Sequence, residues 1–238
     1  MDESLLCYKN VRNITLCVDA SPEKNASSEH MVFLLCCNAD GSERCNISFV
    51  INGKKGSIPP IKRSDLVNNQ VSSSTNPNVW ITGDSTSEWI TGDSISEWLS
   101  TFYEYIGPDR KVLLLMDDFS GHKRGQRLNP PPSNIQIKCL PSSTKSLFSP
   151  LDQGIIQTTK CHYRHQFVEF AIPKWKNGEN PCNDIDDSHV LVWLSEAWFN
   201  RLQSSTISYC FRKTILDPPQ ASPGDVALEM EHETVEEE

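Results

Sequence analysis

The amino-acid sequence predicts an α/β fold in which a mixed sheet is flanked by helices, and three observations support it. Two strand-like runs joined by turn residues occupy 30–57. A short aliphatic run at 110–116 follows a helical pattern and precedes another strand-like run at 134–140. Two long segments with helical periodicity then follow at 149–172 and 187–215. The order of strands, helix, strand, strand and helices favours a mixed sheet.

The first predicted unit is a β-hairpin. MVFLLCC (31–37) is a continuous apolar run, NADGS (38–42) has turn chemistry, and CNISFVI (45–51) alternates between apolar and polar residues. The segment that follows, 57–77, is rich in Ser, Pro and Asn and is predicted to be a loop.

An internal repeat comes next: ITGDSTSEW (81–89) is followed directly by ITGDSISEW (90–98). Two copies are too few for a solenoid, so a local tandem duplication is the simpler interpretation. The second copy continues into a predicted helix, with Ser94 as its expected N-cap. Its apolar face has Ile95, Trp98, Phe102 and either Tyr105 or Ile106.

The run RKVLLLM (110–116) predicts a central buried strand that ends at Asp117-Asp118. The polar, proline-containing segment 121–133 is predicted to be a loop, and NIQIKCL (134–140) the next strand. SPLDQGIIQTTKCHYRHQFVEFAI (149–172) predicts a long helix with Pro150 near its start. A second helical region is predicted over 187–215.

Composition sets broad limits on the protein class. The 238 residues are 37% hydrophobic and 22% charged, which is typical of a globular protein. No apolar run is long enough to span a membrane, and the acidic N-terminus lacks the positive charge of a signal peptide. The net charge of −9 argues at first sight against nucleic-acid binding. Much of it comes from an acidic C-terminal segment, which predicts a disordered tail over 217–238 after a domain over 1–216.

Nine cysteines are present, with no CxxC pair. Several lie in apolar runs such as FLLCC and IKCL. These features favour buried free thiols in a reducing compartment over a disulfide framework or a zinc site.

Aspartates at the ends of predicted elements are the candidate chemical residues. Asp117 follows the aliphatic strand, Asp152 lies in the first turn of a predicted helix, and Asp2 lies at the start of the chain. Two-metal phosphoryl-transfer sites need carboxylates that converge from several elements. Simpler roles stay open, because an Asp at a helix start complements the helix dipole and an Asp after a strand often forms a turn.

Several segments resemble the pogo, Tigger and Jerky-type DDE superfamily endonucleases, a transposase family that includes centromere-protein-B-like members. The resemblance covers almost everything before the acidic tail, and the LDQGII segment is its most specific part. The segments that carry it are MDESLLCYK, LLCCNADGSE, WITGDSISEWL, VLLLMDDFSGH, CLPSSTKSLFSPLDQGIIQTTKCHYR and HVLVWLSEAWFNRLQSSTISYCFRKT.

The resemblance implies a ribonuclease-H-like fold in which Asp2, Asp117 and Asp152 bind two Mg²⁺ or Mn²⁺ ions. It also implies a nuclear protein that acts on DNA, with homo-oligomerisation left open. The short basic segment HKRGQR is too small to be a localisation signal by itself. Candidate DNA contacts, each with a purely structural alternative, are His122, Lys145, Lys160 and Arg164.

The sequence departs from the family in four ways. We expect it to lack the helix-turn-helix domains that precede the catalytic domain in family members, and Asp2 to lie on a shortened first strand. The nine-residue duplication lengthens the approach to the first helix, and Asp118 replaces the usual Asn beside the second aspartate. Three alternatives follow: a metal-dependent endonuclease, a catalytically inactive DNA- or protein-binding module, or a decaying gene fragment.

Overall fold

The computed structural model describes residues 1–9, 30–51, 79–80, 92–141 and 145–216. The predicted loop 57–77, the first copy of the repeat and the predicted tail 217–238 lie outside these residues. The described strands are β1 (Asp2–Cys7), β2 (His30–Leu35), β3 (Ser48–Ile51), β4 (Val79–Trp80), β5 (Val112–Asp117) and β6 (Ile135–Leu140).

The predicted hairpin is confirmed. β2 pairs with β3 in antiparallel register, with Val32 opposite Val50. The turn between them is stabilised by Asn38, whose Nδ2 donates to Ser42 Oγ at 2.8 Å. β1 pairs antiparallel with the other edge of β2, and β3 pairs in parallel with the short β4. β5 and β6 form a separate parallel pair, so the sheets are of mixed direction.

Helices connect and cover these strands, which gives the predicted mixture of α and β elements. They are α1 (Gly92–Ile106), α2 (Ser120–Leu128), α3 (Lys145–Phe148), α4 (Ile156–Lys176), α5 (Asp187–Glu196) and α6 (Ser204–Phe211). Single π-helical turns occupy Ala197–Arg201 and Arg212–Leu216, and a short 3₁₀ turn occupies Pro181–Asn183. Leu151–Ile155 is a turn with a kink at Gly154. None of the described helices combines the length and apolarity that crossing a membrane requires.

Two hydrophobic cores lie on opposite faces of β2. Phe33 and Leu35 belong to the core that includes Phe167 of α4 and Leu194 of α5. The alternating residues Val32 and Leu34 belong to the core formed with α1, β5 and β6. The second core contains buried side chains from both sheets, so α1 packs across them; its α1 members are Ile95, Trp98, Leu99, Phe102 and Ile106. The apolar face predicted for α1 is therefore confirmed, with Ile106 buried and Tyr105 exposed.

The prediction of a loop over 121–133 was wrong for its first part, because α2 occupies Ser120–Leu128. The segment is polar and contains three consecutive prolines at 130–132, which suggested a loop. Two glycines in the same segment instead allow close packing of helices: a Cβ on Gly125 would lie 2.4 Å from Cγ2 of Ile95. Gly121 and Gly125 are both buried, one helical turn apart.

Other predictions were right about an element but not about its details. α1 begins at Gly92, so Ser94 lies within the helix and is not its N-cap. β5 is not buried on both faces, because Leu113 is 53% exposed. The helical region 187–215 is interrupted after Arg201, where Leu202 and Gln203 adopt extended backbone conformations. All cysteines in the described part of the chain are free thiols, but Cys7 and Cys161 are exposed, so the prediction of buried thiols was wrong for these two; Cys17 lies outside the described residues.

Candidate metal and DNA-backbone site

Two of the predicted aspartates lie on neighbouring backbone segments. The amino group of Met1 donates a hydrogen bond to the carbonyl of Leu115 at 2.7 Å, so the start of β1 runs beside β5. Asp2 is the first residue of β1 and Asp117 the last residue of β5. Asp2 is 2% exposed, and a carboxylate at that depth requires partners.

Ser149 joins Asp2 to the segment that contains Asp152. Its Oγ donates to Oδ2 of Asp2 at 3.1 Å and accepts a hydrogen bond from the backbone N–H of Asp152 at 3.3 Å. Ser149 is 4% exposed, so this link is shielded from water. The other oxygen of Asp2, Oδ1, accepts from the backbone N–H of Glu3 at 3.0 Å. The turn that begins α4 therefore lies against the first residues of β1.

Gly154 explains why the predicted long helix is broken beside Asp152. Its φ of 150° and ψ of −19° interrupt the helix, and this positive φ strongly favours glycine. A Cβ at this position would also lie 3.2 Å from Sγ of Cys210. The LDQGII segment thus uses its glycine to separate the turn containing Asp152 from α4.

His122 is buried between two carboxylates. Its Nδ1 forms an ion pair with Oδ1 of Asp117, and its Nε2 lies 3.3 Å from Oε2 of Glu3. Burial alone would favour the neutral ring, but the carboxylates of Asp117 and Glu3 outweigh it and raise the pKa of His122 to about 10. The imidazole is therefore cationic at neutral pH. The backbone N–H of Phe119 also donates to Oδ1 of Asp117, at 3.2 Å.

Glu3 is a candidate site residue that the sequence analysis missed. Glu3, Asp117 and His122 each place one potential metal-ligating atom within 4.8 Å of the other two. Among the described residues, Asp2 and Asp152 are not members of this cluster. Glu3 Oε2 and His122 Nε2 are buried and lie 3.3 Å apart, but neither has a hydrogen-bond partner in the described part of the chain. The two carboxylates are donors that a divalent metal accepts, whereas an imidazole binds a metal only in its neutral form. The only signal in the sequence was the position of Glu3 next to Asp2.

The predicted DNA contacts occupy different environments. His122 is fully buried. Lys160 and Arg164 lie one turn apart on α4 and are both partly exposed. The ammonium of Lys160 lies 5.9 Å from the ring centroid of Phe33. The pKa of Lys160 is lowered mainly by burial and secondly by the charge of Arg164. Lys145 is the first residue of α3.

Comparisons with known proteins agree on one family. Residues 28–211 match the family model described as DDE superfamily endonuclease. The chain is 27% identical over 219 residues to ARS-binding protein 1 of Schizosaccharomyces pombe, covering 89% of the chain and 39% of that protein. It is 24% identical over 218 residues to CENP-B homolog protein 2 of the same yeast, covering 90% of the chain and 40% of that protein.

A human protein gives a similar result. Tigger transposable element-derived protein 7 of Homo sapiens is 27% identical over 189 residues, with coverage of 77% of the chain and 34% of that protein. The chain thus spans about two fifths or less of the length of these relatives. No solved structure matches the chain.

Proposed function

Because the chain belongs to the DDE superfamily endonuclease family, we propose that it is a transposase-derived domain that binds DNA at a divalent-metal site. The proposed fold is ribonuclease-H-like: three antiparallel strands, β1 to β3, with β5 and β6 added in parallel beside β1. The contact between Met1 and Leu115 supports that strand order.

The hydrogen bonds of Ser149 are the observation on which the proposal mainly depends. They tie the carboxylate of Asp2 to the backbone of Asp152, while Met1, directly before β1, contacts β5, the strand of Asp117. Carboxylates that converge from three separate elements are what a two-metal site requires. An isolated turn-forming or dipole-complementing Asp has no need of such a link.

In this proposal Asp2, Asp117 and Asp152 hold Mg²⁺ or Mn²⁺, ions that prefer carboxylate oxygens. A pair of such ions supplies an activated water and stabilises the leaving oxygen of a phosphodiester. His122 and the Phe119 N–H fix the Asp117 carboxylate, and Ser149 fixes that of Asp2.

Binding of the DNA backbone is assigned to cations near the metal site. Lys160 is close enough to Asp152 for the two charges to interact, and Arg164 extends the charge by one turn along α4. These side chains contact phosphates in the proposal, and such contacts fix the position of DNA without reading its sequence. The relatives include an ARS-binding protein and a CENP-B homolog, which supports DNA as the partner and the nucleus as the location.

The test is a calorimetric Mn²⁺ titration of the chain beside Asp117→Ala and Asp152→Ala, with Asp109→Ala as the control. Asp109 precedes β5 and is exposed, at the end of the strand opposite Asp117. We expect Mn²⁺ binding that is lost in both site variants and kept in the control. Absence of Mn²⁺ binding by the unsubstituted, folded chain would refute the metal site.

A second candidate function is a DNA-binding module without catalysis, and the position of His122 favours it. The cationic ring already offsets part of the negative charge of Asp117 and Glu3 from within the protein. The two candidates differ in a plasmid-nicking assay with Mn²⁺. Nicked plasmid that depends on Asp117 supports the endonuclease, whereas DNA binding with intact plasmid supports the module.

A further inference from the structure

One face of α2 is strongly basic. The exposed residues Lys123, Arg124 and Arg127 lie on it, whereas Gly121 and Gly125 are buried on the opposite side. No acidic residue occurs between Ser120 and Leu128. We refer to Lys123, Arg124 and Arg127 as the basic face of α2.

This face begins at the candidate metal site. His122, in the first turn of α2, contacts Asp117 directly. The next residue, Lys123, places its Nζ 2.6 Å from Oδ1 of Asp118, the residue after Asp117. From there the face extends along the helix away from the site. The rise from Lys123 to Arg127 is about 6 Å, and phosphates along one DNA strand are spaced about 3.4 Å apart along the axis.

The second copy of the repeat shapes the surface beneath Arg124. Gly92 has no side chain, and a Cβ there would lie 2.3 Å from Cγ of Arg124. The aliphatic part of Arg124 therefore lies across the first turn of α1, with its guanidinium 3.7 Å from the Asp93 carboxylate. The side chain stays 62% exposed, so packing holds its stem while its charged end faces solvent.

The neighbouring acids do not prevent phosphate binding. The Lys123–Asp118 pair is partly exposed and the Arg124–Asp93 pair is largely exposed, and exposed ion pairs contribute little stability. A polyanion with many phosphates can compete with such pairs, and release of its counterions adds to the affinity.

We propose that the basic face of α2 binds the phosphate backbone of duplex DNA and positions the duplex at the Asp117 site. This inference rests on the proposed function. It adds a second DNA-contacting surface to the one proposed for Lys160 and Arg164 of α4. A glycine-packed helix suits this role, because Gly125 brings α2 close to α1 and so fixes the position of its charges.

The experiment compares two triple variants in duplex-DNA binding, measured by fluorescence anisotropy without divalent metal. The test variant is Lys123→Gln with Arg124→Gln and Arg127→Gln. The matched control, Arg110→Gln with Lys111→Gln and Lys176→Gln, removes three exposed cations located away from Asp117, before β5 and at the end of α4. Both variants lower the net charge equally, so the comparison separates position from overall charge.

We expect the test variant to bind duplex DNA at least about tenfold more weakly. The magnitude of the slope of log K against log salt should fall by about 2–3, because each phosphate contact contributes about 0.9. The control variant should bind within about threefold of the unsubstituted chain. A single Arg127→Glu variant, also expected to bind more weakly, gives the same test if the triple variant fails to fold.

The outcomes separate this inference from the proposed function. If the unsubstituted chain binds duplex DNA and the two triple variants are weakened equally or not at all, the basic face of α2 is not the binding surface. If the unsubstituted chain binds no DNA, the proposed function is wrong and this inference falls with it. Mn²⁺ binding by the test variant should be unchanged, because none of its three residues is a proposed ligand.

Discussion

Replacing Gly125 with alanine tests the close packing of α1 against α2. The new Cβ would lie 2.4 Å from Cγ2 of Ile95 and 2.7 Å from its Cβ, and 3.1 Å from the backbone nitrogen of Ser96. Carbon atoms in contact are normally about 3.5–4.0 Å apart, so the overlap exceeds 1 Å. Ile95 is fully buried, so the two helices must separate.

The expected cost follows from two opposing terms. Overpacking of a buried site costs about 1–3 kcal/mol, while alanine gains about 1 kcal/mol over glycine in a helix interior. Because a Cβ atom and a backbone atom both resist movement, the cost should fall in the upper part of its range. We therefore expect Gly125→Ala to lower the free energy of unfolding by about 1–2 kcal/mol.

The assay is urea unfolding followed by circular dichroism, run as a double-mutant cycle with Ile95→Ala. The Ile95 variant alone should cost about 2–5 kcal/mol. Ile95→Ala removes the Cγ2 atom that lies 2.4 Å from the new Cβ. The double variant should therefore lose about 0.5–3 kcal/mol less unfolding free energy than the two single variants lose together. Gly107→Ala is the control, because nothing lies within 4 Å of its added Cβ and its effect should be additive with that of Ile95→Ala. Additivity for Gly125→Ala, or a stability equal to that of the parent, would refute the proposed packing.

Three further predictions concern single residues. Ile95→Thr, which makes the two repeat copies identical, should destabilise the fold by about 1–3 kcal/mol because it buries a hydroxyl; a stability within error of the parent would contradict this. Gly154→Ala should cost about 1–3 kcal/mol through backbone strain and weaken Mn²⁺ binding, whereas Gly178→Ala should leave Mn²⁺ binding unchanged. In EDTA, the stabilisation by His122 should be complete below about pH 6.5 and fall as pH rises through about 10, because its folded-state pKa is raised above the unfolded value. Urea unfolding of His122→Gln, compared with the parent across that range, checks this, and a difference independent of pH would contradict it.

Elements with strong periodicity could be predicted from the sequence, and α2 could not. The hairpin of β2 and β3 combines a continuous apolar run with an alternating one across turn residues, and the apolar face of α1 repeats at helical spacing. In α2 the residues that face the core are Gly121, His122 and Gly125, which carry no hydrophobic signal. Its burial depends on close approach of backbones, and a pattern of apolar residues cannot indicate that.

The candidate site was predictable in part for a related physical reason. Asp117 and Asp152 stand out because each follows or begins a recognisable element, and the family resemblance selected Asp2. Glu3 and Ser149 gave no such signal, since their roles depend on contacts across more than one hundred residues of chain. The positive φ of Gly154 was equally hidden, because a glycine inside a helical pattern is compatible with an unbroken helix.

The central position of β2 has a consequence for cooperativity. Every residue of 31–36 is buried, and successive side chains enter opposite cores. Helices α4 and α5 cover one face of β2 and α1 covers the other. Neither set of helices can detach without exposing a face of this strand to water, so the two sets are thermodynamically coupled. The described part of the chain should therefore melt in a single transition with equal calorimetric and van't Hoff enthalpies, and the amide protons of β2 should exchange only through global unfolding.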